Sequence, residues 1–388
     1  MDFNLSEDQI AFRDAARSFA QNEMAPHAAQ WDAEHIFPID VIKKAGEMGF
    51  CGIYVPEEAG GMGLSRLDAS VIIEELAMGC TSTTAYITIH NMATWMIASF
   101  AAEDLRDEFA PGMAMGEKLG SYCLTEPGAG SDAGALRSTA RRDGDDYVLN
   151  GSKMFISGAG STDVLVVMAR TGTQEDGAKG ISAFVVPADA EGVHYGKAEE
   201  KMGWNSQPTR LITFEDVRIP ARNILGKEGD GFKIAMKGLD GGRINIATCS
   251  LGAAQAAVSD TQRYMQEREQ FGKPLASFQA LQFKLADMVT QLVASRQMVR
   301  LAASKLDEKD TEATLYCAMA KRFATDACFD VTNDAIQLHG GYGYIKEYPL
   351  ERYMRDARVH QILEGTNEIM RLIISRRVMM DGVLEVIR

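Results

Sequence analysis

"GAGSDAGALRSTARRDGDDYVLNGSKMFIS", residues 128–157, decides between two fold classes. Its first six residues, with Gly128, Gly130 and Ala133, satisfy the G-x-G-x-x-G/A pattern of a dinucleotide-binding loop and follow the strand-like "GSYCLTE" at 120–126. That pattern holds a pyrophosphate only where the loop opens a helix inside a βαβ unit, because the helix N-terminus supplies the donors and the dipole. Here no helix opens. Asp143-Gly144 and Asn150-Gly151, dipeptides favoured in hairpin turns, punctuate β-prone residues instead. The stretch predicts β hairpins, and a Rossmann unit is set aside.

Working downstream, "DVLVVMAR" (163–170), "GISAFVVP" (180–187) and "RLITFEDVRI" (210–219) read as further strands, with no room for a helix of useful length between them. An antiparallel β domain over 121–227 is expected. Upstream, 1–120 reads as helical. Ser6 and Gln9 form a capping box, and Phe12, Ala15, Ala16, Phe19 and Ala20 recur at the spacing of a buried helix face. "PIDVIKKAGEMGF" (38–50), "SRLDASVIIEELAMG" (65–79) and "STTAYITIHNMATWMIASFA" (82–101) predict further helices. Beyond 228 the helical period returns at larger scale. Leu281, Leu285, Met288, Leu292, Ser295, Val299, Ala302 and Leu306 alternate steps of four and three, the seam of a helix in a bundle. The expectation is mainly α with a β domain, as three parts: 1–120, 121–227 and 228–388.

The totals narrow the function. With 388 residues and 46% hydrophobic content the chain can bury a sizeable core. Forty basic against 54 acidic residues leave a net charge of −14, and no Lys/Arg-rich run stands out, which argues against nucleic acid or an anionic membrane as partner. Apolar runs fall far short of the roughly 20 residues a membrane span needs. The start, "MDFNLSEDQIAFRDAARSF", shows neither a secretory nor a transit pattern, so a cytoplasmic location is expected. Cys51, Cys80, Cys123, Cys249, Cys317 and Cys328 stand singly and read as reduced buried thiols; the six histidines show no ligand spacing, and no metal is expected.

Two stretches invite chemistry. In "TEPGAGSD" (125–132) close glycines leave backbone N–H groups accessible and Thr125 and Ser131 add hydroxyls, a combination able to hold an anion or the edge of a flat polar cofactor. In "QILEGTNEIMR" (361–371) a carboxylate, Glu364, sits in an otherwise apolar segment. Gly365, Thr366 and Asn367 are credible helix-start signals, so a solvated turn residue is the plain reading on local grounds.

"YCLTEPGAGSDAGAL", "NGSKMFISGAG", "REQFGKPLASFQALQFKLADM", "QLHGGYGYIKEYPLERYMRDAR" and "QILEGTNEIMR" together, in their order and over nearly the whole chain, resemble the acyl-CoA dehydrogenases. "CTSTTAYITIHNMATWMI", "MGWNSQPTR", "GLDGGRINIATCSLGAAQA" and "ARVHQILEGTNEIMRLIISR" are most similar to the branch of that family acting on isobutyryl-CoA in valine breakdown. The resemblance implies an N-terminal helical domain, a middle β domain and a C-terminal four-helix bundle in a homotetramer. It implies FAD as cofactor, an acyl-CoA substrate and electron-transferring flavoprotein as acceptor.

Carried over residue by residue, the resemblance assigns Tyr122, Cys123, Leu124, Thr125, Gly130 and Ser131 to the flavin loop, with Ser131 also near the CoA arm. Phe155, Ile156 and Ser157 would back the flavin ring. Arg268, Phe271, Phe278 and Gln279, with Gln337, His339, Gly340 and Gly341, would reach FAD of an adjacent subunit. Thr366, Asn367 and Glu368 would cover its pyrophosphate or adenosine part. Asp240, Gly241, Gly242 and Arg243 would line the CoA channel, with Gly365 close to the thioester and Arg376 a further candidate. The plain reading of Arg243 is an ion pair with Asp240 at i, i+3; that of Arg376 is a solvated cation beside Arg377.

The implied base is Glu364. An apolar neighbour desolvates it and raises its proton affinity, while an α C–H is acidic enough only if the thioester oxygen meets fixed donors. Phe155 stands where many relatives carry Trp, and Leu363 where straight-chain enzymes often carry Tyr; both departures weaken the case for a long straight acyl chain. Rival readings are another short or 2-methyl-branched acyl preference, an acyl-CoA oxidase or flavin monooxygenase relative, and a non-catalytic scaffold.

Overall fold

The computed structural model describes residues 4–387. Six helices come first: α1 (Glu7–Phe19), α2 (Ala28–Glu34), α3 (Ile39–Glu47), α4 (Arg66–Gly79), α5 (Thr81–Phe100) and α6 (Glu103–Ala114). The Ser6/Gln9 capping box is present, with Gln9 N donating to Ser6 Oγ and Ser6 N to the Gln9 side chain. Ala16, Phe19 and Ala20 are buried as expected and Phe12 partly so, but Ala15 is exposed, so the buried stripe of the helix is narrower than its apolar residues suggest. Helix α5 is buried on nearly all sides, between α4, α6, α7 and the β region, and its buried positions include polar residues such as Thr84, His90 and Asn91.

Eight strands follow: β1 (Gly120–Cys123), β2 (Thr139–Asp143), β3 (Asp146–Ser157), β4 (Val164–Arg170), β5 (Ile181–Pro187), β6 (Val193–Ala198), β7 (Thr209–Pro220) and β8 (Ile224–Leu225). They form one sheet in the order β6-β7-β3-β2-β4-β5-β8, with β1 beside β4. The sheet is mixed, not antiparallel throughout. β1 runs parallel to β4 from Gly120↔Val164 to Cys123↔Val167, and β2 meets β4 in the same sense at Thr139↔Arg170. Strand β4 explains its own unbroken apolar sequence: Val164, Val166 and Met168 face the helices, whereas Leu165, Val167 and Ala169 face the sheet's other core.

Of the two hairpin dipeptides only one turns the chain. Asp143-Gly144 closes the β2–β3 hairpin, Gly144 having φ 65°. Asn150-Gly151 instead lies within β3, at a register shift against β7 between Leu149 and Gly151. Its asparagine side chain exchanges hydrogen bonds with Asp216 of β7, so the dipeptide is used as a bulge and not as a turn.

Helices α7 (Gly231–Glu267), α8 (Gln279–Asp307) and α9 (Ala313–His339) then pack on one another, α7 and α8 joined by the short ribbon β9 (Glu269–Gln270) and β10 (Lys273–Pro274). The seam of α8 is as expected: Met288, Leu292, Ser295, Val299 and Ala302 are buried, and Leu281, Leu285 and Leu306 partly so. After α10 (Gly341–Tyr344), α11 (Leu350–Arg358) and α12 (Asn367–Val378) share the fourth place of the bundle, both against α9. Helix α7 also touches α4, α5 and β5, so one long helix ties the bundle to both other parts. Among the described residues, no helix is long and apolar enough to cross a membrane. All six cysteines are free and buried.

Candidate active site

A cavity of about 780 Å³ opens where four parts of the chain converge. Helix α5 contributes Thr88, Ile89 and Met92; the β region contributes Tyr122 to Ser131 in part and Phe155 to Ser157; α7 contributes Met236 to Ile246 in part; and the segment between α11 and α12 contributes Val359, Ile362 and Leu363 to Thr366. Its walls are largely apolar, as a ligand site requires, with a few polar atoms facing inward.

Those polar atoms lack partners within the protein. Glu364 Oε2, the Tyr122 hydroxyl and Arg243 Nε are buried and make no hydrogen bond. A buried polar atom without a partner costs free energy, and three of them on one cavity mark the place of a polar ligand. Phe155 adds a flat apolar wall. It is 63% exposed although it belongs to β3, because a second bulge between Lys153 and Ile156 puts it at φ 60° and aims it away from the strand's alternation. The loop ahead of it is fixed from below, since Lys153 Nζ donates to Leu124 O at 3.1 Å and Glu126 Oε1 at 2.8 Å, while Glu126 accepts from Arg137 N and Ser138 N. An exposed aromatic face, an orphan hydroxyl and open space beside Gly130 suit a flat, polar-edged cofactor ring.

Glu364 occupies a left-handed backbone conformation, φ 56°, followed by Gly365 at φ 86°. Thr366 caps α12, its Oγ1 accepting from Ile369 N, so the carboxylate sits just before the helix start and outside its hydrogen bonding. Burial raises the carboxyl's pKa to about 7; Arg243 and Lys321 act the other way. Arg243 Nη1 donates to Asp240 Oδ1 at 2.6 Å, and Asp240 also accepts from Thr314 Oγ1 at 2.7 Å. The i, i+3 pair therefore exists, but buried against the cavity and not on a solvated face.

The structure separates the expected site residues into groups. Tyr122, Leu124, Thr125, Gly130, Ser131, Phe155, Ile156, Ser157, Gly242, Arg243, Glu364, Gly365 and Thr366 line the cavity. Cys123 does not, because strand alternation turns it into the core behind the sheet. Gly241 faces Arg66, and Asp240 stands behind Arg243. Asn367 is buried on Lys321, Thr325 and Asp326, while Glu368 and Arg376 are exposed on α12 outside the cavity.

Arg268, Phe271, Phe278, Gln279, Gln337, His339, Gly340 and Gly341 gather elsewhere. Arg268 lies 25 residues along from Arg243, which at 1.5 Å per residue is about 37 Å down the helix. There Phe271, 93% exposed, meets Phe278, and His339 stacks on Tyr264.

Several residues of the cavity and its support lie outside the set expected from the sequence. Trp204, held by Nε1 donating to His360 Nε2, lines the wall with Met236, Leu239 and Arg355. Lys321 escapes notice too, although a signal exists: it interrupts the buried apolar face formed by Cys317, Ala320, Ala324 and Cys328.

Comparison with known proteins gives three family matches along the chain: acyl-CoA dehydrogenase, N-terminal domain, over 6–117; middle domain, over 121–217; and C-terminal domain, over 229–379. Two proteins called "Isobutyryl-CoA dehydrogenase, mitochondrial" are similar. That of Dictyostelium discoideum is 57% identical and that of Bos taurus 55%, each over 97% of this chain and 90% of the relative. A chain in the solved structure of the electron transferring flavoprotein of Acidaminococcus fermentans superposes with a TM-score of 0.96 at 45% identity, covering 98% of this chain and 100% of that one.

Proposed function

The chain belongs to the acyl-CoA dehydrogenase family, and from that premise we propose that it oxidises isobutyryl-CoA to methacrylyl-CoA in valine breakdown. It is an oxidoreductase acting on the CH–CH group of an acyl-CoA, and its cofactor is FAD. The observation that carries the reading is the Glu364 carboxylate, partnerless on left-handed backbone and directed into an apolar cavity. The choice of isobutyryl-CoA is supported by the 55–57% identity to two enzymes named for it.

Glu364 takes the proton from the α carbon. Burial has raised its affinity for that proton, and Arg243 and Lys321 keep enough positive charge nearby for it to start ionised. Gly365, lacking a side chain, lets the thioester approach, and the main-chain N–H of Glu364 is the donor assigned to its developing oxyanion. Tyr122, Leu124, Thr125, Gly130, Ser131, Phe155, Ile156, Ser157 and Thr366 would hold the flavin against the substrate. Bound there, FAD would supply the acceptor for the hydride leaving the β carbon, and we propose electron-transferring flavoprotein as the acceptor of its electrons. Ile89, Met92, Leu239 and Leu363 line the cavity, and we assign them to the wall that would confine a short branched acyl group.

In a homotetramer the second group, Arg268 to Gln279 and Gln337 to Gly341, serves a neighbouring subunit's cofactor. Its distance from the cavity of its own chain supports that assignment.

Turnover of isobutyryl-, 2-methylbutyryl-, isovaleryl- and butyryl-CoA tests the substrate. Isobutyryl-CoA is expected to be the best or near-best of the four; one methylene is worth about 1–3 kcal/mol of discrimination, so the ranking is measurable. A clear preference for another thioester overturns the name. Anaerobic reduction followed by air tests the class: prompt reoxidation with peroxide release would mark an oxidase.

A further inference from the structure

Lys321 is fully buried on the otherwise apolar face of α9, beneath the turn that carries Glu364. An ammonium there must satisfy its donors. Nζ donates to Gly365 O at 2.7 Å and to Asn367 Oδ1 at 2.8 Å, so both bonds end on residues 365–367. Asn367 is fixed in turn, its Nδ2 donating to Thr325 Oγ1 at 2.9 Å and Asp326 Oδ1 at 2.6 Å. One stretch of α9, residues 321 to 326, thus grips the turn from below. The turn needs such a grip, because Glu364 is a non-glycine residue at φ 56°, a conformation that persists only where its surroundings impose it.

We propose that Lys321 is a positioning residue for Glu364: its ammonium pins the 364–367 turn so that the carboxylate enters the cavity, and its charge keeps that carboxylate ionised. This rests on the reading of Glu364 as the base. The groups facing Lys321 are Glu364 itself, Asp326 on α9, Arg243 on α7 and Glu368 on α12. Those facing Glu364 are Arg243 and Lys321, with the Tyr54 and Tyr122 hydroxyls nearby. Arg243 is the larger of the two cationic influences on Glu364 and is itself paired with Asp240; Lys321 adds to it and, unlike Arg243, also donates to the turn that carries the carboxylate. Burial lowers Lys321 to about 7, next to the raised Glu364, so the two titrate as a pair.

The test uses the holoenzyme and anaerobic flavin reduction by saturating isobutyryl-CoA across pH. Removing a cation raises a carboxylate's pKa, so in Lys321→Met the acid limb of the profile is expected to move alkaline by about one pH unit or more. At neutral pH the reduction rate should fall about tenfold, with KM changed less than about threefold and much of the rate recovered at high pH. Lys321→Arg, which keeps the charge, should restore the profile. Coincident profiles for Lys321→Met and wild type overturn the proposal, and so does an equal displacement in the Met and Arg variants, which would mean lost packing alone. If Lys321→Met does not fold, Lys321→Gln, shorter and neutral but still able to donate a hydrogen bond, carries the same expectation. Failure of the underlying reading shows separately: a wild-type flavin that no acyl-CoA reduces, or normal reduction in Glu364→Gln, overturns both without any Lys321 variant.

Discussion

Gly242 makes room for the carboxylate of Glu364: a Cβ at position 242 would stand 2.3 Å from Glu364 Oε2 and 2.9 Å from its Cδ. Helix and turn are 122 positions apart in sequence, and the space between them is one missing methyl group. The obstructed atoms are the far end of a flexible side chain, so Gly242→Ala is expected to cost little stability, under about 1 kcal/mol, because the carboxylate swings aside. Misdirecting a base by about 1 Å is expensive in rate, and we expect kcat/KM to fall about 10²-fold. Thermal melting and steady-state turnover of the same preparation check the split.

Glu364→Gln should retain FAD and ligand while flavin reduction falls by roughly 10³-fold or more. Its effect on stability depends on pH. Folding raises this carboxyl's pKa from 4.5 to about 7, so the native state binds the proton more tightly than the unfolded chain. The ionised group therefore destabilises the fold, by nothing below pH 4.5 and increasingly up to about pH 7, above which the cost is constant. Allowing for its contact with the cavity, that cost is about 1–3 kcal/mol. Melts at acidic and mildly alkaline pH should coincide with wild type in the first case and lie above it in the second.

The parts of this architecture legible in the sequence are those set by local pattern. The α8 seam and the Ser6/Gln9 cap follow from residues within a few positions of one another, and β4 reveals itself by being apolar on both faces. Pairings between distant segments leave no such trace. Nothing in "GSYC" announces that β1 runs parallel to β4, and nothing local to Lys321 says that a turn 43 residues later will rest on it. Phe155 is aimed by a bulge whose register is set by β7. For the site, the resemblance located segments, whereas side-chain direction depended on alternation and cap geometry, which sent Cys123 and Asn367 inward and left Tyr122 and Glu364 facing the cavity.

The buried pair Lys153–Glu126 holds the loop that runs from Leu124 to Ser131. Lys153→Met strands a carboxylate that keeps only its two backbone donors, Arg137 N and Ser138 N. Breaking such a pair from one side costs about 3–5 kcal/mol, and the lower end applies here because those donors remain. The variant should also release FAD more readily on dilution, measured by the loss of flavin fluorescence quenching. Adding Glu126→Gln should recover part of the stability, since an amide needs no counter-ion but offers one oxygen where the carboxylate offers one each to Arg137 N and Ser138 N.

Gly144 and Gly151 stand in similar dipeptides but do different work, and substitution should expose it. At Gly144, φ 65°, an added Cβ meets nothing within 4 Å, so Gly144→Ala pays only for left-handed backbone, about 1–2 kcal/mol. At Gly151, φ 136°, the Cβ would stand 2.5 Å from Ser138 Oγ and 2.7 Å from Ser138 Cα, in a strand pinned on both sides by β2 and β7. Backbone cannot yield there as a side-chain tip can. Gly151→Ala is therefore expected to destabilise by more than about 2 kcal/mol, beyond the Gly144→Ala loss, in parallel denaturant titrations. Since β3 continues from this bulge to the one that aims Phe155, the Gly151 variant should bind FAD less tightly as well, whereas the Gly144 variant should bind it normally.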